Sequence, residues 1–196
     1  MPTPSPLLAP PGLAIIAMGV SGSGKSTFGA LLAQRLACPF LEGDSFHAPA
    51  AVAKMRAGRP LDDDDRWPWL DRLGQAISEA VDAGGLAVAA CSALKRSYRA
   101  RLTAAIGAPT RFVLLEASHD ELLRRLNQRP GHYMPPSLLD SQLATLERPE
   151  ADEPVLRAET TASPDQLCDR VEAWLADARS APQPSSGLRH QPLSPA

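Results

Sequence analysis

Short apolar runs alternate along the chain with longer segments in which apolar residues recur every three or four positions. Runs at 13–18, 39–42, 86–91 and 111–116 read as strands, and a weaker one at 154–159 as a fifth. Helical spacing covers 25–37, 48–57, 67–83, 95–106, 118–129, 137–147 and 164–178. In the segment 67–83, Leu70, Leu73, Ile77, Ala80 and Val81 form one core-facing stripe, with Trp67 and Trp69 as anchors at its start. Ser118 with Glu121, and Ser163 with Gln166 and Pro164, carry the spacing of helix-start capping boxes. Strand–helix alternation of this kind predicts an α/β fold: three layers, a parallel sheet of about five strands, helices on both faces.

The two ends do not follow the pattern. Residues 1–12 are rich in proline and 181–196 in proline, serine and glutamine, so both are expected to be disordered tails around one domain over 13–180. A chain of 196 residues, 44% hydrophobic, has enough material for one core without a disulfide staple. Cys38, Cys91 and Cys168 form no C-x-x-C pair and read as small buried hydrophobes of a reducing cytoplasm. The net charge of −2 argues against a dedicated nucleic-acid binder. No apolar run approaches the roughly twenty residues needed to span a bilayer, and the first residues lack the basic start of a secretion signal. The cytoplasm is the expected location.

The first strand leads into Gly19-Val20-Ser21-Gly22-Ser23-Gly24-Lys25-Ser26-Thr27, a G-x-x-x-x-G-K-[ST] phosphate loop between a buried strand and a helix. Glycines let successive backbone amides surround a phosphate chain, and the helix start adds unpaired donors. Lys25 is expected to reach the β- and γ-phosphates of ATP, and the Ser26 hydroxyl to meet a Mg²⁺ ion bridging them.

In an open parallel sheet, ligands bind beyond the carboxyl ends of the strands. After the second strand come Glu42 and Asp44, two carboxylates at i and i+2 expected to point the same way: one for the metal, one for the proton of an attacking hydroxyl. The third strand lacks a terminal aspartate, which shifts the metal role towards Glu42 or Asp44. It ends instead at Ser92, with Lys95 and Arg99 read as one helical turn apart and suited to an anionic substrate. Lys54 and Arg66 flank four aspartates, 62–65, read as a solvated turn with Asp65 as helix cap; either cation could reach an acidic substrate. Arg125 and Arg129, again a turn apart, precede a Gly/Pro segment with His132. That pattern suits a closing lid at about 125–140 whose arginines stabilise a phosphoryl group in transfer.

Taken together, these motifs resemble the gluconokinase family. The resemblance rests on Gly19–Thr27, Leu41-Glu-Gly-Asp44 with His47, Lys54-Met55, Pro60-Leu61 through Asp65-Arg66, and Pro68-Trp69-Leu70. It continues in Cys91-Ser-Ala-Leu-Lys95 with Tyr98-Arg99, Arg125-Leu126, Arg129, Gly131-His132, Ser141-Gln142 and Leu146-Glu147. It covers roughly 13–178. It implies a nucleoside-monophosphate-kinase-like fold and ATP-dependent phosphorylation of D-gluconate to 6-phospho-D-gluconate, in a cytoplasmic and often dimeric protein. On that resemblance, Gly19 to Thr27 bind ATP, Asp44 faces the substrate hydroxyl, and Arg125 and Arg129 act from the lid. Asp44, His47, Lys54, Arg66, Ser92, Lys95, Arg99, His132 and Gln142 are the implied substrate contacts, with Ser26 and Glu42 at the metal. The family's His-Pro and its asparagine three residues before Lys-Met are here His47-Ala48 and Ala51, which removes an amide expected near the substrate. The rival expectations are a related kinase for shikimate or a nucleoside monophosphate, which leaves Cys91-Ser-Ala-Leu-Lys95 unexplained, and a nucleotide-dependent switch, for which no Asn-Lys-x-Asp element is present.

Overall fold

The computed structural model describes residues 12–128 and 138–180, with side chains to 177. Both predicted tails, apart from Gly12, and the lid positions 129–137 lie outside the described residues. Five strands form one sheet: β1 (Leu13–Met18), β2 (Phe40–Glu42), β3 (Leu86–Ala90), β4 (Thr110–Glu116) and β5 (Val155–Glu159). Their order is β2-β3-β1-β4-β5, and every neighbouring pair is parallel. The helices are α1 (Lys25–Arg35), α2 (Pro49–Arg56), α3 (Asp63–Gly84), α4 (Arg96–Ile106), α5 (His119–Asn127), α6 (Leu139–Thr145) and α7 (Pro164–Ser180).

The uninterrupted apolar run of β1 follows from burial on both faces. Its side chains divide by the two-residue period of a strand. Ala14, Ile16 and Met18 pack with Leu70, Leu73, Ile77 and Val81 of α3 and Leu102 and Ile106 of α4. Leu13, Ile15 and Ala17 pack with Phe28 and Leu32 of α1 and Leu167, Val171 and Leu175 of α7. The layers are therefore helix, sheet, helix, as the alternation predicts. Where α3 meets α4, a Cβ on Gly74 would lie 2.4 Å from the Cβ of Ala105, so only glycine permits that crossing. Trp69 is buried and Trp67 lies edge-on to Tyr98. Cys91 and Cys168 are buried and Cys38 is half-buried. Burial pushes the three thiols up to about 12, 11 and 11 respectively, away from thiolate chemistry.

Of the two predicted capping boxes the second forms in full and the first by half, since the Glu121 carboxylate accepts from Arg124 and Arg125 instead. Ser118 Oγ accepts from Glu121 N–H at 3.3 Å, while Ser163 and Gln166 exchange bonds at 2.9 and 3.3 Å. The start of α3 differs from expectation: the helix begins at Asp63 rather than 67, and its cap is Asp62 rather than Asp65. Asp62 accepts from Asp65 N–H at 3.0 Å, and Asp65 accepts from Asp62 N–H at 3.1 Å. This reciprocal cap, with three acids in the first turn, outweighs the single i→i−4 bond lost at Pro68.

Candidate active site

Leaving β1, the chain turns at Gly19 with φ +138°, where a Cβ would sit 2.7 Å from the Leu115 carbonyl oxygen. Gly22 and Gly24 also take positive φ, and Gly24 caps α1. The first bond of that helix runs from Phe28 N–H to the Gly24 carbonyl at 3.0 Å. The amides of Ser26 and Thr27 precede it, in the first turn where a helix leaves its N–H groups to outside acceptors. The loop is fixed from outside by Gly19 N–H donating to Ser92 O (3.3 Å) and Ser21 N–H donating to Gln142 Oε1 (2.6 Å). From inside, Ser23 N–H and Lys25 Nζ both donate to Val20 O, at 3.2 and 2.8 Å. The buried Ser23 hydroxyl has no hydrogen-bond partner among the described residues.

A cavity of about 260 Å³ opens over this loop. Ser21, Gly22 and Gly24 to Thr27 line it together with Asp44, Arg125 and Gln128. A second hollow of about 350 Å³ shares Gly24, Thr27 and Arg125 with it and is otherwise walled by Phe28, Leu115, Thr160, Ala162 and neighbours. One is polar and cationic, the other largely apolar. A phosphate chain suits the first and a nucleoside the second. Arg125 stands between them, its guanidinium held by Glu121 (2.7 Å), Thr160 Oγ1 (3.1 Å) and Thr160 O (3.2 Å). Thr160 was not anticipated. The rule that chemistry follows strand ends points to it, since it directly follows β5.

The acidic pair does not act as a pair. The i, i+2 argument holds only while the chain stays extended, and β2 ends at Glu42. Residues Gly43–Phe46 turn into a 3-10 helix, which Glu42 caps by accepting from Asp44 N–H at 3.5 Å. Asp44 lines the phosphate cavity and Glu42 does not. Of the two carboxylates to which the metal role was assigned, the cavity lining favours Asp44. Ser26 lines the same cavity as Asp44. A hydroxyl and one carboxylate fit a magnesium ion that arrives on phosphate, rather than a protein cage. Among the described residues no three His, Cys, Asp or Glu side chains group as a metal site.

The cations expected to hold an acidic substrate divide. Lys54 pairs with Asp62 at 2.8 Å and with Asp65, and Lys95 pairs with Asp63 at 2.8 Å. Tyr98 OH also donates to Asp63. These partners raise the pKa of both lysines and lower that of Asp63, and they bring Asp62 down to about 2. The aspartate run is thus neither a merely solvated turn nor a metal site; it anchors two lysines. Asp63, Lys95 and Tyr98 wall an open hollow of about 420 Å³. Buried Arg66 lies 5.4 Å from the Tyr98 ring centroid and donates to Leu61 O at 3.4 Å. His47 stacks on Trp69 with centroids 4.2 Å apart, while Trp69 Nε1 donates to Gly43 O at 2.7 Å. Burial lowers the His47 pKa to about 4, against the opposing charge of Asp44.

Arg99 is not at the cavity. The two are one turn apart as expected, with Arg99 N–H donating to Lys95 O at 3.1 Å, but Lys95 is the extended cap residue of α4, so the side chains part. Arg99 instead points inward, to Glu153 and to the carbonyls of Ala93, Leu94 and Glu147. Ser92 is half-buried at the tip of β3, its carbonyl engaged by the phosphate loop. Gln142 bonds the loop itself. Ala51, at the family's asparagine position, is buried against Met55, Leu61 and Leu138. Arg129 and His132 lie outside the described residues.

A family model described as an AAA domain matches residues 15–149. Gluconokinase of Gluconobacter oxydans is 50% identical over 157 residues, 80% of this chain and 88% of that protein. Among solved structures, an unliganded sugar kinase from Janibacter sp. is 41% identical with TM-score 0.78, covering 87% of this chain and 98% of the other. A gluconokinase from Sinorhizobium meliloti is 40% identical with TM-score 0.76, covering 87% and 94%. On its phosphate loop, its five-stranded parallel sheet and these likenesses, the chain belongs to the gluconokinase family.

Proposed function

We infer that the protein transfers the γ-phosphoryl group of ATP to a hydroxyl of D-gluconate, giving 6-phospho-D-gluconate. The observation that carries this reading is that Asp44 shares one cavity with the phosphate loop, so an acceptor hydroxyl at Asp44 lies beside the transferring phosphate. Phosphoryl transfer asks mainly for positioning and charge neutralisation. The loop amides and Lys25 hold the phosphate chain, and Arg125 adds positive charge at the border of the nucleoside hollow. Asp44 orients the attacking hydroxyl and takes its proton as the new O–P bond forms and the bond to the ADP oxygen breaks. Ser26 would hold a magnesium ion, which neutralises charge on the β- and γ-phosphates.

For the acceptor, His47, Arg66 and Lys95, with Asp63 and Tyr98 beside them, offer donors and acceptors to a polyol and its carboxylate. The neutral imidazole of His47 suits a hydroxyl better than an anion. Ala51 packs in an apolar cluster, so the missing amide leaves substrate preference to these other groups. The family resemblance carries the expectation of a cytoplasmic homodimer. Among the described residues no helix is long and apolar enough to cross a membrane.

ATP consumption measured with gluconate, shikimate and nucleoside monophosphates tests the reading. Turnover with gluconate is expected. Turnover confined to shikimate or a nucleotide would replace the acceptor, and nucleotide binding without any turnover would return the switch reading.

A further inference from the structure

Three amides in the first half of the phosphate loop are held in this structure. Gly19 N–H is held by the carbonyl of Ser92 and Ser23 N–H by that of Val20. The third, Ser21 N–H, is held by a side chain: Gln142 Oε1 accepts it at 2.6 Å, with both residues buried. Main-chain acceptors persist through substitution. The acceptor for Ser21 can be removed.

We propose that Gln142 is a positioning residue of the phosphate loop, holding the Ser21 amide so that the loop keeps its phosphate-ready shape before nucleotide arrives. This rests on the reading of 19–27 as the ATP phosphate site, and it reassigns a residue expected to contact the acceptor. The support under Gln142 is rigid. Leu139 of the same helix packs with Val20 of the loop and with Leu94, Leu122 and Leu126. Just past the helix, Glu147 N–H donates to Leu94 O at 2.9 Å, and the Glu147 carboxylate accepts from Arg96 N–H at 2.7 Å. Arg99 reaches both the Leu94 and Glu147 carbonyls, at 3.2 Å each. The β3–α4 loop that carries Ser92 therefore also anchors α6, and the two restraints at Gly19 and Ser21 share one foundation. Gln142 also borders the small hollow lined by Met55, Leu61 and Arg66. That location makes acceptor binding the competing role.

The test uses the full chain with Gln142→Met, which keeps size but removes the acceptor atom, and Gln142→Asn, which is one carbon too short to reach. Nucleotide affinity is measured by calorimetry without any acceptor, and KM for ATP and for gluconate by steady-state kinetics. Leaving one buried donor unpaired is expected to raise the ATP Kd and KM about tenfold, with kcat and the gluconate KM changed less than about threefold. An ATP Kd within about twofold of wild type in either folded variant overturns the proposal, as does a rise confined to the gluconate KM. Because calorimetry needs no acceptor, it decides this point even if wild type proves to act on a different acceptor.

Discussion

Arg99 and Glu153 form a two-pronged ion pair inside the protein, with bonds of 2.6 and 2.9 Å and side chains only 2% and 11% exposed. Arg99 lowers the pKa of the Glu153 carboxyl. Its remaining donors serve three carbonyls, so one guanidinium ties α4, the β3–α4 loop and the segment after α6 together.

Arg99→Met should cost about 3 kcal/mol of stability, because it leaves the largely buried Glu153 carboxylate with only the Glu150 N–H. Urea unfolding measures this. The double variant Arg99→Met/Glu153→Met should recover part of the loss; a double variant no more stable than the single one would show that the carbonyl bonds, not the ion pair, dominate.

Lys25→Ala should reduce turnover by at least about a hundredfold, since it removes a preorganised charge from the phosphate cavity. Circular dichroism should be unchanged, because Lys25 is half-buried at the start of α1 and lies outside the apolar clusters of the core. Retained turnover would remove the phosphate-site assignment.

For Asp44→Asn, the rate of the chemical step should fall about 10²–10⁴-fold, the range for a positioned proton acceptor. Nucleotide affinity should change far less. Single-turnover kinetics and a separate binding titration distinguish the two; an equal loss in both would make Asp44 a nucleotide ligand instead.

Acid stability should carry the signature of His47. Its pKa falls from 6.5 to about 4 on folding, so the unfolded chain takes up the proton first as pH drops. The contribution of neutral His47 is complete above pH 6.5 and is lost progressively between 6.5 and 4. Asp62, held at about 2 by Lys54, titrates lower and does not overlap this window. The urea midpoint of His47→Gln, followed against pH, should be flatter than wild type across that interval.

Gly43→Ala should be disproportionately harmful. An added Cβ would stand 2.2 Å from the Ala90 carbonyl oxygen, which is backbone and cannot swing aside. A cost at the upper end of about 1–3 kcal/mol is expected, with activity falling further because Asp44 is the next residue. Thermal unfolding and specific activity of the folded fraction check both parts.

The features legible in the chain are those set by local chemistry. A phosphate loop is a contiguous pattern, the caps at Ser118 and Ser163 lie within one turn, and the five strands are short runs whose period changes at their ends. Contacts between distant segments were not legible. Spacing alone aligned Glu42 with Asp44 and Lys95 with Arg99, but in each case the first residue is the extended cap of the helical turn that carries the second. A strand becomes a 3-10 turn in the first, and an extended cap precedes the helix in the second.

The same limit explains the aspartates and the glutamine. Sequence determined that Asp62 to Asp65 sit at a helix start, yet only the fold brings Lys54 and Lys95 to them. Gln142 stands 121 positions from Ser21, and no periodicity links them. The chain by itself carried the phosphate-loop pattern and the turn on which it lies. Only the tertiary structure decided that the β3–α4 loop and α6 meet that turn, through Ser92, Leu94, Leu139 and Gln142, because pairing across the core depends on how whole elements cross.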